Sequence, residues 1–136
     1  MPEVWIPWYC APGFYSKYAT KSIVCDKKFH IELFDINDEA KQIRVFLPCA
    51  ARAYRVVRAL NQQDILIELG EKYELSLGKG LTFFEVKNSS YLRWLSEESV
   101  GMIDNLNAHH YALITTNVVV DIISSIEPMV EFISLP

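Results

Sequence analysis

Residues 49–60 read CAARAYRVVRAL, with Arg52, Arg55 and Arg58 three apart and Ala, Tyr, Val and Leu between them. Whether this stretch is helix or strand decides how much of the chain is sheet. Ala50, Ala53, Tyr54, Val57 and Leu60 fall along one face of a helix, with the arginines beside them. Pro48 near the first turn and the alanines favour that helix. The competing reading is a strand through AYRVVRAL, because Tyr54, Val56 and Val57 are also good strand formers.

Upstream the pattern has a period of two. In FHIELF (29–34) and QIRVFL (42–47) apolar residues alternate with polar ones. Pairing positions that sum to 76 sets Phe29 beside Leu47, Ile31 beside Val45, Leu33 beside Ile43 and, on the opposite face, Glu32 beside Arg44. Asn37, Asp38 and Glu39 are left as the turn. Downstream, ILIELGEKYELSL (65–77) reads as a second hairpin with its loop at 70–72, and LTFFEV (81–86) as a further strand.

Asn88 and the serines after it cap a helix in SSYLRWLSEES, with Tyr91, Leu92 and Leu95 inward. YALITT (111–116) reads as a strand. Asn117 then caps an expected helix in which Val119, Ile122, Ile123 and Ile126 form the buried stripe, and Pro128 ends it. MVEFISL (129–135) is a closing strand at the sheet edge. The expectation is a single α+β domain over 1–136, a mainly antiparallel sheet of about six strands with two or three helices.

At 136 residues, 51% hydrophobic and 22% charged, the chain has the composition of an ordinary globular domain. No apolar run approaches the ~20 residues of a membrane span. The N-terminus, MPEVWIPWYCAPGFY, carries an acid and two prolines and no basic region, unlike a secretory leader. Cys10, Cys25 and Cys49 are odd in number and widely spaced, so they suggest free thiols in a reducing cytoplasm rather than a disulfide framework or a zinc knuckle. Trp5, Trp8, Tyr9, Phe14, Tyr15 and Tyr18 read as a staple holding the N-terminal segment to the sheet.

Charge is unevenly distributed. From Ala40 to Gln63 there are five bases and no acid, whereas beyond Arg93 there is no base at all against Glu97, Glu98, Asp104, Asp121, Glu127 and Glu131. Arg52, Arg55 and Arg58 on one helical flank are candidate anion ligands. The net charge of −4 and the absence of a glycine loop or a broad basic groove argue against nucleic acid. His109 and His110 point to opposite faces of a strand and cannot share a metal; no metal or cofactor is expected.

The acidic C-terminal third fits a surface that attracts and covers a basic protein. Trp94, Glu97, Glu98 and Asp104 are its candidate partner-binding residues, joining an aromatic anchor to an acidic rim. The function expected on these grounds is a small acidic cytoplasmic binding protein that occludes its partner, in concrete form an immunity or antitoxin-like inhibitor of a basic toxin. Two rivals stand beside it. One is a small enzyme with a pocket of scattered polar residues such as Arg52, Arg55, His30 or His109, and the other is a structural, homo-oligomer-forming module.

Overall fold

The one-sided alternation of FHIELF and QIRVFL folds as expected. In the computed structural model, which describes residues 3–7, 18–58, 64, 67, 71 and 83–134, β3 (Phe29–Asp35) and β4 (Asp38–Leu47) pair antiparallel. Their register sets Phe29 against Leu47, Ile31 against Val45, Leu33 against Ile43 and Glu32 against Arg44. The turn is tighter than expected: it occupies Ile36 and Asn37, and the Asp35 carboxylate accepts the Asn37 amide at 2.8 Å. β2 (Tyr18–Cys25) flanks β3, and β9 (Met129–Ser134) flanks β4, giving a four-stranded sheet in the order β2-β3-β4-β9. The strand at 129–134 is therefore an edge, as expected.

The remaining strands form a second sheet. β1 (Val4–Pro7), β5 (Ala53–Arg58), β6 (Phe83–Lys87), β7 (His109–Ile114) and β8 (Val118–Ser124) lie in the order β1-β6-β7-β8-β5, and every pairing is antiparallel. Phe29, Ile31, Leu33, Ile43, Val45 and Leu47 of the first sheet share one buried cluster with Phe83, Tyr111, Leu113, Val120 and Ile122 of the second. The two sheets thus pack face to face.

This architecture corrects the expected single sheet of about six strands with two or three helices. Among the described residues nine strands lie in two sheets. Of the three expected helices only one forms, α1 (Ser90–Glu98), followed by a short 3-10 helix at Met102–Leu106. Residues 53–58 and 118–124 are strands, paired with each other from Ala53 opposite Ile123 to Arg58 opposite Val118. The physical reason is two-sided burial: Val119, Val120, Ile122 and Ile123 are all essentially closed to solvent, so β8 has no polar face to mark a period of two. A continuous run of β-branched residues then mimics a buried helical stripe, while its χ1 restriction favours the strand.

Of the segment expected as a second hairpin, Ile67 and Glu71 are helical, as is Asp64 before them. That spacing does not belong to a strand; the rest of 65–77 lies outside the described residues. The N-terminal staple is real where it is described. Trp5 is buried on β1, which pairs with β6 at the sheet edge, and Tyr18 joins the inter-sheet core. Trp8, Tyr9, Phe14 and Tyr15 lie outside the described residues.

The second sheet is covered on its far side too. Trp5, Phe84, Val86, Ala112 and Val119 form a separate cluster there, and α1 lays Tyr91 over the same face.

Candidate functional site

Two adjoining features dominate the helix side of the five-stranded sheet, a buried polar chain and the exposed hairpin it supports. The chain starts from strand register. Arg55 of β5 lies directly opposite Asp121 of β8, and His110 of β7 is diagonal to Asp121, whose direct partner is Ala112. Asp121 Oδ2 accepts from Arg55 Nε and pairs with its terminal nitrogen, both at 3.0 Å, while Oδ1 lies 2.7 Å from His110 Nε2. His110 Nδ1 lies 2.6 Å from Ser89 Oγ, which also accepts the Leu92 amide at 3.0 Å as the N-cap of α1. The His110 ring thus has a partner at each nitrogen, the Asp121 carboxylate at Nε2 and the Ser89 hydroxyl at Nδ1.

Aromatic rings enclose this chain. Tyr91 and Trp5 meet His110 edge-on, at 5.8 and 6.3 Å between centroids, and the Arg55 guanidinium sits 4.2 Å above the Tyr91 ring. Burial raises the Tyr91 hydroxyl above its ordinary range, the Arg55 charge opposes the rise, and the Asp121 charge adds to it.

A second carboxylate ties the helix start to β1. Glu3 accepts from the Ser90 amide and hydroxyl, each at 2.8 Å, and from the Trp5 indole at 2.9 Å. Burial alone would raise this carboxyl. The Ser90 and Trp5 donors and the nearby His110 outweigh it and hold Glu3 below its ordinary value.

Ser89, His110 and Asp121 have the residue types of a nucleophilic triad but not its accessibility. They are 4%, 1% and 1% exposed, and the serine oxygen is engaged with both the helix amide and the imidazole. No substrate can approach a hydroxyl so enclosed. Its role is to cap α1 and to fix the chain beneath it.

What α1 carries on its other side is exposed. Tyr91 stacks on Trp94 at 6.2 Å, so the tryptophan is braced from below while remaining 53% exposed. Ser96 Oγ donates to Asp104 Oδ2 at 3.0 Å, and the Gly101 amide donates to the Ser96 carbonyl, closing α1 and the 3-10 helix into one hairpin. At its tip Val100 has φ +54°, a left-handed conformation that β-branched residues avoid, and is 91% exposed. Met102 and Leu106 are exposed as well.

The structure therefore brings Trp94, Glu97, Glu98 and Asp104 onto one hairpin, all four exposed. Of the other acids beyond Arg93, Asp121 is committed to Arg55 and His110, and Glu131 to Arg44. The arginine row is not brought together. Because residues 53–58 are a strand, Arg55 faces α1, while Tyr54 turns to the inter-sheet side, where its ring meets Phe29, and Arg58 shares that side by alternation. Arg52 precedes the strand and donates its amide to the Ile123 carbonyl.

His109 points away from His110, as their adjacency required, and lies 3.6 Å from Glu85. His30 is on the other sheet, beside a depression of about 350 Å³ lined by Lys28, Arg44, Phe46 and Glu131 among others. The histidines and arginines considered for an enzyme pocket are thus not gathered in one place. Cys25 and Cys49 are free and exposed. Among the described residues no cluster of His, Cys, Asp or Glu is arranged to hold a metal, and no helix is long and apolar enough to cross a membrane.

The buried chain escaped sequence reasoning, although one signal was present. Asp121 is the only charge in VVVDIIS, and an acid inside so apolar a run needs a buried cation or donor. No protein-family model matches this chain, and no match was found among curated proteins or solved structures.

Proposed function

We propose that this chain is a protein-binding module that docks a basic cytoplasmic protein through the α1 hairpin. In its narrower form it is an immunity or antitoxin-like inhibitor that occludes a basic toxin. The observation that supports the reading most is the hairpin's composition: exposed Trp94, Val100 and Met102, interleaved with Glu97, Glu98 and Asp104, in a region without a base after Arg93. Apolar anchors supply affinity at an interface, and a field of one sign steers a partner of the other. The polar chain beneath α1 and the Tyr91–Trp94 stack hold the anchor in place, which lowers the ordering cost of binding.

The test is capture from native lysate with two baits, the wild-type chain and a variant carrying Glu97→Lys, Glu98→Lys and Asp104→Lys. The expected result is a basic protein retained by the wild type at low salt, released as salt rises and absent from the reversed-charge bait. Retention of the same proteins by both baits overturns the reading. Val100→Gly separates binding from folding. Glycine relieves the left-handed backbone, raising stability by about 1 kcal/mol, while capture weakens because an apolar contact is lost.

A further inference from the structure

We propose that β9 is a pairing edge at which two copies of this chain join, extending the four-stranded sheet into a continuous sheet across a two-fold axis. Among the described residues the two sheets end in four edge strands, β1, β5, β2 and β9. An exposed edge presents unpaired backbone groups, and natural proteins blunt it with charge, proline, a bulge or short length.

Three of the four edges carry such a device. β1 has only four residues and ends in Pro7. β2 carries Lys21 at a break in its register between Thr20 and Ser22. β5 ends in Arg58, an exposed charge. β9 has six residues, no Lys, Arg or Pro, and one charge, Glu131, neutralised by Arg44 at 2.8 Å. It also exposes large apolar side chains: Phe132 is 54% exposed although its register partner Ile43 belongs to the inter-sheet core. The core row therefore runs out to the edge and stops at an uncovered aromatic ring.

The strand's own sequence favours a second copy. Antiparallel pairing about a two-fold axis perpendicular to the sheet keeps each face continuous only if opposed positions have the same parity, which centres the axis on a residue. Two centres pair five residues of β9. Centring on Glu131 sets Glu131 against itself, a like-charge pair directly opposed. Centring on Phe132 sets Phe132 against its own copy, Val130 against position 134 and Glu131 against Ile133. This register has no charge conflict, joins the two exposed rings and closes both cores at the edge.

Sedimentation of the full chain across rising concentration tests the proposal, alongside Phe132→Lys and, as a control on the protected β5 edge, Val56→Lys. The expected result is a concentration-dependent shift from monomer to dimer for the wild type and Val56→Lys, and its loss in Phe132→Lys. A wild type that stays monomeric up to millimolar concentration overturns the proposal, as does a Phe132→Lys variant that dimerises like the wild type.

Cross-linking reads the register without depending on the folding of one charged variant. With Cys10, Cys25 and Cys49 replaced by serine, Phe132→Cys meets itself on the axis and forms an intermolecular disulfide on oxidation, whereas Val130→Cys does not. Absence of the Phe132→Cys cross-link, or equal cross-linking from Val130→Cys, overturns the proposed pairing.

Discussion

The two sheets each carry an arginine–carboxylate pair across neighbouring strands, and the pairs differ in what lies above them. On the four-stranded sheet Arg44 reaches Glu32 at 3.1 Å and Glu131 at 2.8 Å, and the Arg44 and Glu131 side chains are 38% and 47% exposed. On the five-stranded sheet Arg55 reaches Asp121 at 3.0 Å under α1, and the Asp121 side chain is only 1% exposed. The open pair competes with water and contributes little. In the covered pair an acid has been taken from water and depends on its partners, Arg55 and His110, for every compensation. Covering one face of a sheet thus turns a cross-strand ion pair from a surface contact into a structural requirement.

The largest expected effect comes from breaking the covered pair. Asp121→Ala leaves His110 and Arg55 without their acceptor and is expected to destabilise the fold by about 3–5 kcal/mol. Glu131→Ala on the open sheet is expected to cost under about 1 kcal/mol. Chemical denaturation of both variants checks the contrast, and equal losses would show that α1 does not make the difference. A smaller effect is expected one step further along the chain. Ser89→Ala removes the N-cap of α1 and the hydrogen-bond partner of His110 Nδ1, at about 1–2 kcal/mol. Hydrogen exchange locates the loss: amides of 90–106 should lose protection before those of β3 and β4, and a uniform change would deny the hairpin its separate support.

The same contrast explains what could be read from the sequence. In the four-stranded sheet one face is fully buried against the other sheet and the other is only partly buried, so FHIELF and QIRVFL alternate cleanly, and the register from Phe29–Leu47 to Leu33–Ile43 follows from parity alone. In the five-stranded sheet both faces of β8 are dry and the period of two disappears; in β5, Ala53 and Val57 also fit one helical face together with Ala50 before the strand. The candidate residues of α1 were accessible because a local signal, a serine N-cap followed by an amphipathic turn, needs no tertiary partner to be recognised. The Arg55–Asp121–His110–Ser89 chain joins four separate segments and exists only through strand order. Only the isolated acid in VVVDIIS hinted at it.

The smallest effect concerns Glu3, the second carboxylate at the start of α1, and appears only as a pH dependence. The fold holds this carboxyl below its ordinary value of 4.5, so the ionised form is favoured in the native state. A group depressed in this way contributes stability that is fully present above its unfolded value and is lost as pH falls through its folded value. Glu3→Gln removes that contribution. The variant should be less stable than the wild type at neutral pH, and the difference should shrink as pH falls through the carboxylate range. Denaturation midpoints of the two proteins measured in parallel isolate this group, because every other titrating residue is common to both. A difference that persists unchanged into acid would mean that Glu3 acts through shape and neutral hydrogen bonding. The charge it presents to the Ser90 amide, the Trp5 indole and His110 would then not be what ties β1 to the hairpin.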